Sequence, residues 1–208
     1  MIFKDSFKMP KPVKITGRSS SITNAFVNGI IPCIVPDEEE IREVLEILGM
    51  EDRVRCAYCG DNYTEWDHFR PLIRNKRPTG YISEIQNLVP ACGKCNQSKG
   101  NSDWKVWMLG NARLSPNTRN IPSLNTNIEH LEKYEAWSKP TIVNFEEIVG
   151  KEVWKEHWEN CEKLHCMMKE SQKLSNAIRE KIANELGSDI QMVENIDRKL
   201  PDPRLIGE

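Results

Sequence analysis

Two Cys-x-x-Cys pairs are the residues of this 208-residue sequence whose spacing most clearly indicates chemistry. Thirty-two residues separate the two pairs, and each pair has the spacing of a tight turn that aims two sulfur atoms at one point. Four thiolates suit one tetrahedral Zn²⁺ ion, and a zinc site closed by four protein ligands stabilises a fold without doing chemistry. The sequence therefore predicts a structural zinc site whose ligands are Cys56, Cys59, Cys92 and Cys95.

The cysteine content also bears on the compartment. The chain has seven cysteines, and an odd number with paired spacing suits metal binding in a reducing cytoplasm better than a set of disulfides. The alternative, four unrelated buried thiols, is disfavoured by that spacing. The sequence has no run of about 18 apolar residues and no signal peptide at its N-terminus, so we expect a cytoplasmic protein without a membrane span.

A second set of donors lies between and beside the cysteine pairs. Asp67 and His68 are adjacent, Asn87 follows them, and Asn96 comes directly after the last cysteine. Carboxylate and amide oxygens suit Mg²⁺ or Mn²⁺ better than Zn²⁺, whereas a histidine that is neutral near pH 7 can accept a proton from water. This segment therefore offers ligands for a harder metal together with a base.

Residues 56–99 resemble the H-N-H family of nucleases, in the subclass whose core is clamped by four cysteines. The resemblance rests on the run EWDHFRP, on the run NLVP that begins at Asn87, and on the ending Cys-x-x-Cys-Asn-x-x-Lys, and it covers nothing outside these residues. It implies a metal-dependent endonuclease that leaves 5′-phosphate and 3′-hydroxyl ends. It also implies a ββα-metal fold, in which a β-hairpin and a helix surround the catalytic metal.

The resemblance implies a role for each matching residue. His68 would be the general base, Asp67 a ligand of the catalytic metal, and Asn87 the residue that ties the loop and orients His68. Asn96 occupies a position where many members have histidine, and its amide oxygen suits Mg²⁺ or Mn²⁺. Lys99 follows Asn96 by three residues on the same predicted helix face, so it could add positive charge at the phosphate.

Asp67 and His68 impose a constraint on the backbone. Successive side chains of a regular strand point to opposite faces, yet both of these side chains must serve one phosphate. We therefore expect the strand to end or twist at His68, with Asn87 holding the irregular backbone that follows.

Positive charge is concentrated around this segment. Residues 70–105 contain seven lysines and arginines and two acidic residues, a local charge of +5 in a chain whose net charge is −2. Such a concentration favours binding to the phosphates of DNA, which we expect to be double-stranded, over an ordinary exposed basic loop. The expected contacts are Arg70, Arg74, Lys76, Arg77 and Lys94.

The sequence divides into three regions of an α+β protein. Residues 1–50 form an N-terminal arm with an apolar segment at 25–35, expected as a strand, and a helix that Asp37 caps. Residues 51–110 form the nuclease core. Residues 111–208 form a linker and a mostly helical C-terminal region, with one helix capped by Asn127 and a helical stretch at 145–186 that breaks at Gly150.

Two hypotheses about function follow. The first is an H-N-H endonuclease of a prokaryotic or phage restriction-type system, which would cut both strands as a homodimer joined through the C-terminal helices. The second is a zinc-stabilised module that binds nucleic acid without cutting it. The presence of Asp67, His68, Asn87 and Asn96 together favours the endonuclease.

Overall fold

The computed structural model describes residues 13–187, and every structural statement below refers to this part of the chain. It contains 3₁₀ turns at Ile15–Arg18 and Ile85–Asn87. The strands are β1 (Glu65–His68), β2 (Ile73–Arg74), β3 (Arg77–Pro78) and β4 (Leu88–Ala91). The α-helices are α1 (Ser19–Asn28), α2 (Glu38–Ile47), α3 (Gly93–Lys99), α4 (Trp104–Leu109), α5 (Leu124–Trp137), α6 (Phe145–Val149) and α7 (Lys151–Leu186).

Within the described residues the chain forms two compact units, Thr23–Trp158 and a smaller one that contains residues 13–22 and 159–187. In the smaller unit the backbone N–H of Ile15 donates to Oε1 of Gln172 over 2.7 Å. The boundaries predicted at residues 50 and 110 stay predictions. No helix within residues 13–187 has the length and apolar character that crossing a membrane would require.

An antiparallel pair of strands and the helix after it form the centre of the larger unit. β1 pairs with β4, with Asp67 opposite Val89 and His68 opposite Leu88. Cys92 follows β4 directly and precedes the first residue of α3. Helices and short antiparallel strands thus coexist in one body, and the predicted α+β class with a ββα core is confirmed.

A small hairpin projects from this centre. β2 pairs with β3 through a two-residue turn in which Asn75 and Lys76 have φ angles of 52° and 62°. Two consecutive positive φ angles match the twist of the adjoining strands, and asparagine tolerates this conformation well. The hairpin therefore presents the tip of the predicted basic loop to solvent.

Aromatic side chains from several elements close the core. The Phe69 ring lies 5.1 Å from the rings of Trp104 and Tyr134, and the Tyr58 ring lies 5.3 Å from Trp107, all between ring centroids. The Tyr134 hydroxyl donates to the carbonyl oxygen of Ile85 over 2.8 Å, so this buried polar atom is satisfied. Phe69, which directly follows His68, thus anchors the end of β1 in the core.

The strand predicted at residues 25–35 was wrong. The segment begins inside α1, and its buried side chains Thr23, Val27 and Ile31 recur every four residues, which is the period of a helix. The prediction used the apolar content of the segment and overlooked this spacing. The remaining extended part is a single parallel bridge between Cys33 and Ser83.

The predictions for the other helices were close to the structure. The Asp37 side chain accepts the backbone N–H of Glu40, whose carboxylate accepts that of Asp37 in return, so the predicted capping box is confirmed. Gly150, with φ +85°, separates α6 from α7 as predicted. The cap predicted at Asn127 was wrong: α5 begins three residues earlier, at Leu124, and the Asn127 side chain donates to the carbonyl oxygen of Tyr58.

Candidate active site and metal centre

The four predicted zinc ligands converge in the structure. Their Sγ atoms all lie within 4.8 Å of one another, and the sulfurs of Cys59 and Cys92 are 3.8 Å apart. A tetrahedral Zn²⁺ ion with Zn–S bonds of about 2.3 Å would place its sulfur ligands about 3.8 Å apart. The cluster is therefore compatible with a structural zinc ion, held by Cys56, Cys59, Cys92 and Cys95.

The backbone around the cluster explains how the two cysteine pairs meet. The N–H of Gly60 donates to the carbonyl oxygen of Cys56, which closes the first turn, and the N–H of Ala57 donates to the carbonyl oxygen of Pro90 on β4. Contact among the four sulfurs raises the pKa of the Cys56 and Cys95 thiols and lowers the pKa of Cys59 and Cys92, so the protons stay on two of the four sulfurs, from which a bound cation would displace them.

Arg119 is a neighbour of this centre that the sequence did not reveal. Its guanidinium donates to Sγ of Cys95 over 3.4 Å. Partial burial opposes the charge of Arg119, but the sulfurs of Cys59, Cys95 and Cys92 outweigh this effect and raise its pKa. The residue lies in the predicted linker, where no periodic pattern marks it. A cation at this position offsets the negative charge of a four-thiolate site.

Asp67 lies in the interior at the end of β1. Its side chain is 6% exposed, and its Oδ2 atom accepts the Tyr58 hydroxyl over 2.7 Å and lies 3.0 Å from Nζ of Lys99. Burial raises the pKa of this carboxyl group, and the charge of Lys99 acts in the opposite direction. Both contacts engage Oδ2, which leaves Oδ1 outside this network. No pattern in the sequence marks Tyr58 as a partner of Asp67.

Lys99 is buried, which the predicted role at the phosphate did not anticipate. Its side chain is 0% exposed, and Nζ donates to the carbonyl oxygens of His68 over 2.8 Å and of Gly100 over 3.3 Å in addition to Asp67. An ammonium group has three hydrogens, so these three partners use its donor capacity. The structure directs the charge of Lys99 to Asp67 and to the end of β1.

His68 is the last residue of β1, so the predicted end of the strand at this residue is confirmed. Its ring is half-buried, and Nε2 lies 2.8 Å from Oγ of Ser83. Burial and the nearby charge of Lys99 lower the pKa of His68 to about 4. The imidazole is therefore neutral at pH 7, which is the form that can accept a proton.

Asn87 ties the loop that follows His68. Its side chain is buried, Oδ1 accepts the backbone N–H of Arg70 over 2.8 Å, and Nδ2 donates to the carbonyl oxygen of Arg70 over 3.1 Å. Its own carbonyl oxygen accepts the N–H of Phe69 over 2.9 Å. Asn87 thus holds the irregular backbone, whereas the hydrogen-bond partner of Nε2 of His68 is Ser83.

Asn96 lies on α3, one helical turn before Lys99 and therefore on the same side of the helix. Its backbone N–H donates to the carbonyl oxygen of Cys92 over 3.0 Å, so the cysteine pair fixes its position. The side chain is half-buried and has no hydrogen-bond partner within the described chain. Its amide oxygen is thus available to a ligand.

The five predicted contacts to nucleic acid fall into two groups. The Arg70 guanidinium donates to Oγ of Ser138 and lies 5.3 Å from the centre of the Phe69 ring, and the Arg77 guanidinium lies 4.5 Å from the centre of the Trp158 ring. These two arginines pack within the protein. The exposed residues are Arg74 and Lys76 on the hairpin and Lys94 on α3.

Comparison with known proteins agrees with this geometry. Residues 56–102 match the family model described as HNH endonuclease. A curated relative, the CRISPR-associated endonuclease Cas9 of Corynebacterium diphtheriae, is 33% identical over 86 residues, which cover 33% of this chain and 8% of that protein. No solved structure matches.

The chain therefore carries a domain of the HNH nuclease type at residues 56–102, and the predicted resemblance is confirmed. Its cluster of four cysteines fits the subclass that zinc stabilises.

Replacing one clustered cysteine tests the metal centre. We expect the wild-type protein to contain about one zinc ion per chain. The Cys92→Ser variant should lose most of this zinc and unfold, because binding of structural zinc is coupled to folding. Elemental analysis and circular dichroism measure the two effects. Cys166→Ser, which changes an exposed thiol, is the matched control and should keep zinc and fold. A Cys92→Ser protein with full zinc content would contradict the assignment.

Proposed function

We propose that the chain is a metal-dependent DNA endonuclease in which His68 is the general base. The observation that carries this proposal is the position of a neutral, half-buried His68 beside Asp67 at the end of β1, within the segment that matches the HNH family. A phosphodiester is hydrolysed when water attacks phosphorus and the bond to the 3′-oxygen breaks. His68 accepts the proton of that water.

Asp67 and Asn96 would hold the catalytic divalent metal. Oxygen donors from a carboxylate and an amide suit Mg²⁺ or Mn²⁺, and Oδ1 of Asp67 and the Asn96 amide lie outside the hydrogen-bond network of the interior. Such an ion, when bound, neutralises charge on the phosphate and assists the leaving 3′-oxygen. The expected products carry 5′-phosphate and 3′-hydroxyl ends.

Lys99 supports this site through its buried ion pair with Asp67. A carboxyl group in an apolar interior tends to stay protonated, and a protonated carboxyl group is a poor metal ligand. The Lys99 ammonium, 3.0 Å from Oδ2, favours the ionised form of Asp67. We therefore infer that Lys99 acts through Asp67, in place of a direct contact with the phosphate.

The hairpin formed by β2 and β3 is the proposed contact to duplex DNA. Arg74 and Lys76 are exposed at its tip, and a cavity of about 500 Å³ beside it is lined by residues that include Arg70 and Arg74 as well as the acidic Asp103 and Glu135. Exposed cations at a projecting tip can reach phosphates without displacing packed side chains. A restriction-type role in a prokaryotic or phage system, in the cytoplasm, is the broader proposal.

A plasmid-nicking assay with Mg²⁺ or Mn²⁺ tests the base. We expect His68→Ala to lower the cleavage rate by about 10²- to 10⁴-fold, because removal of a general base has effects of this size. His165→Ala, outside the matched segment, is the control. Equal cutting by wild type and His68→Ala would refute the assignment. If the wild type binds DNA and never cuts it, the zinc-stabilised binding module is the better description.

Salt dependence of DNA binding tests the hairpin. We expect Arg74→Gln and Lys76→Gln each to weaken binding and to reduce the slope of log K against log salt by about one, because each removes one contact to a phosphate. Fluorescence anisotropy with a labelled duplex measures both quantities. Lys181→Gln removes an exposed lysine of α7 and is the control. If the slopes for Arg74→Gln and Lys76→Gln equal the slope for Lys181→Gln, the hairpin does not contact the DNA phosphates.

A homodimer through α7 is part of the proposal, because one nuclease core per chain cuts one strand at a time. Leu174, Ile178 and Ile182 form an exposed apolar stripe on this helix. We expect Leu174→Glu to weaken self-association by about tenfold or more, with Asn176→Glu, an exposed position on the opposite face of the helix, as the control. Light scattering measures the mass. A monomer that still makes double-strand cuts would contradict the dimer.

A further inference from the structure

The hydrogen bond between His68 and Ser83 has a chemical consequence if His68 is the base, as proposed above. A neutral imidazole carries one hydrogen, so one ring nitrogen donates while the other has a lone pair. Nε2 of His68 lies 2.8 Å from Oγ of Ser83, and Nδ1 has no hydrogen-bond partner in the described chain. Whichever nitrogen keeps the hydrogen determines which one can accept a proton.

We propose that Ser83 is a positioning residue for the base. Its Oγ accepts the Nε2–H of His68, which fixes the orientation of the ring and leaves the lone pair on Nδ1 for the proton of the attacking water. Ser83 is half-buried, so its own hydroxyl hydrogen can point to solvent. Partners of this kind select the tautomer and orientation of a functional histidine.

The backbone of Ser83 is held by a segment far away in the sequence. Its N–H donates to the carbonyl oxygen of Pro32 over 3.2 Å, and its carbonyl oxygen accepts the N–H of Ile34 over 2.8 Å. These two bonds form the parallel bridge centred on Cys33. Residues 32–34 lie outside the segment that matches the HNH family. Both polar groups of the Ser83 backbone are therefore fixed by the N-terminal region.

A second anchor lies one residue further on. The buried carboxylate of Glu84 accepts the backbone N–H of Thr141 over 2.5 Å and its hydroxyl over 3.2 Å. Ser83 is thus placed between two attachments, one to residues 32–34 and one to Thr141. These attachments hold the backbone of Ser83 in one place beside the histidine ring.

Residues 32–34 contribute little to the core. Pro32, Cys33 and Ile34 are exposed, and the Ile34 side chain is 52% exposed. Since burial of apolar surface is the main source of stability, a segment this exposed adds little stability through packing. Its backbone pairing with Ser83 is its best-defined contact, and we infer that the segment serves the placement of this residue.

Kinetics with a conservative pair of variants test the proposal. We expect Ser83→Ala to lower kcat by about 10- to 100-fold with KM unchanged, whereas Ser83→Thr, which keeps the hydroxyl, should recover most of the activity. Ser102→Ala, which removes an exposed hydroxyl in the same domain, is the control. Equal values of kcat for Ser83→Ala and Ser102→Ala would overturn the proposal.

A spectroscopic measurement separates this proposal from the proposed function. ¹⁵N NMR of histidine-labelled, zinc-loaded protein distinguishes the two tautomers, and the His68→Ala spectrum assigns the signal among the four histidines. We expect the Nε2–H tautomer for His68 and a mixture in Ser83→Ala. A His68 signal that Ser83→Ala leaves unchanged overturns the role of Ser83. Undiminished cleavage by His68→Ala overturns the proposed base instead.

The same spectrum tests the segment that holds Ser83. Ile34→Pro removes the N–H that donates to the Ser83 carbonyl oxygen, so we expect it to shift the His68 signal in the same direction as Ser83→Ala. Ile34→Ala keeps this N–H and should leave the signal unchanged. If the two Ile34 variants give the same spectrum, residues 32–34 do not position Ser83.

Discussion

The buried ion pair between Lys99 and Asp67 is the interaction on which the rest of the site depends. Both side chains are almost fully buried, and the Lys99 ammonium also holds the carbonyl oxygen of His68. Removing one partner of such a pair leaves an unpaired charge in the interior, which costs about 3 to 5 kcal/mol. A pair this costly to break fixes the distance between α3, which carries Lys99, and β1, which carries the proposed base and metal ligand.

The two proposed metal sites share helix α3, and the ion pair lies at the end of this helix. α3 begins directly after Cys92, contains Cys95 and Asn96, and ends at Lys99. Seven residues therefore connect the zinc cluster at one end with the ion pair at the other. A helix this short is not stable in isolation, so the cysteine cluster and the ion pair together must hold it in place. Loss of the zinc site would therefore displace Asn96 as well as weaken the fold.

The sequence predicted the parts of the protein in which spacing and chemistry coincide. The cysteine pairs, the capping box at Asp37 and the break at Gly150 all depend on local residue types, and the structure contains each of them. Partners that meet only in the folded chain were missed. Tyr58, Ser83 and Arg119 contact Asp67, His68 and Cys95, and no pattern in the sequence marks a residue that acts through one tertiary contact.

Lys99 shows that sequence spacing does not reveal tertiary contacts, even for a residue whose role was predicted. Its place after Asn96 predicted a shared helix face, which the structure has, but the spacing could not tell which way that face points. A lysine is rarely buried, so a solvent-facing role was the natural expectation. The interior position follows from a tertiary fact, the presence of a carboxylate and two carbonyl oxygens at the end of β1. In this domain the matched segment contains the proposed reactive groups. The same segment also sets their protonation and orientation, since burial and Lys99 lower the pKa of His68 and Ser83 lies within hydrogen-bond distance of its ring, while residues 32–34 hold the Ser83 backbone from outside the segment.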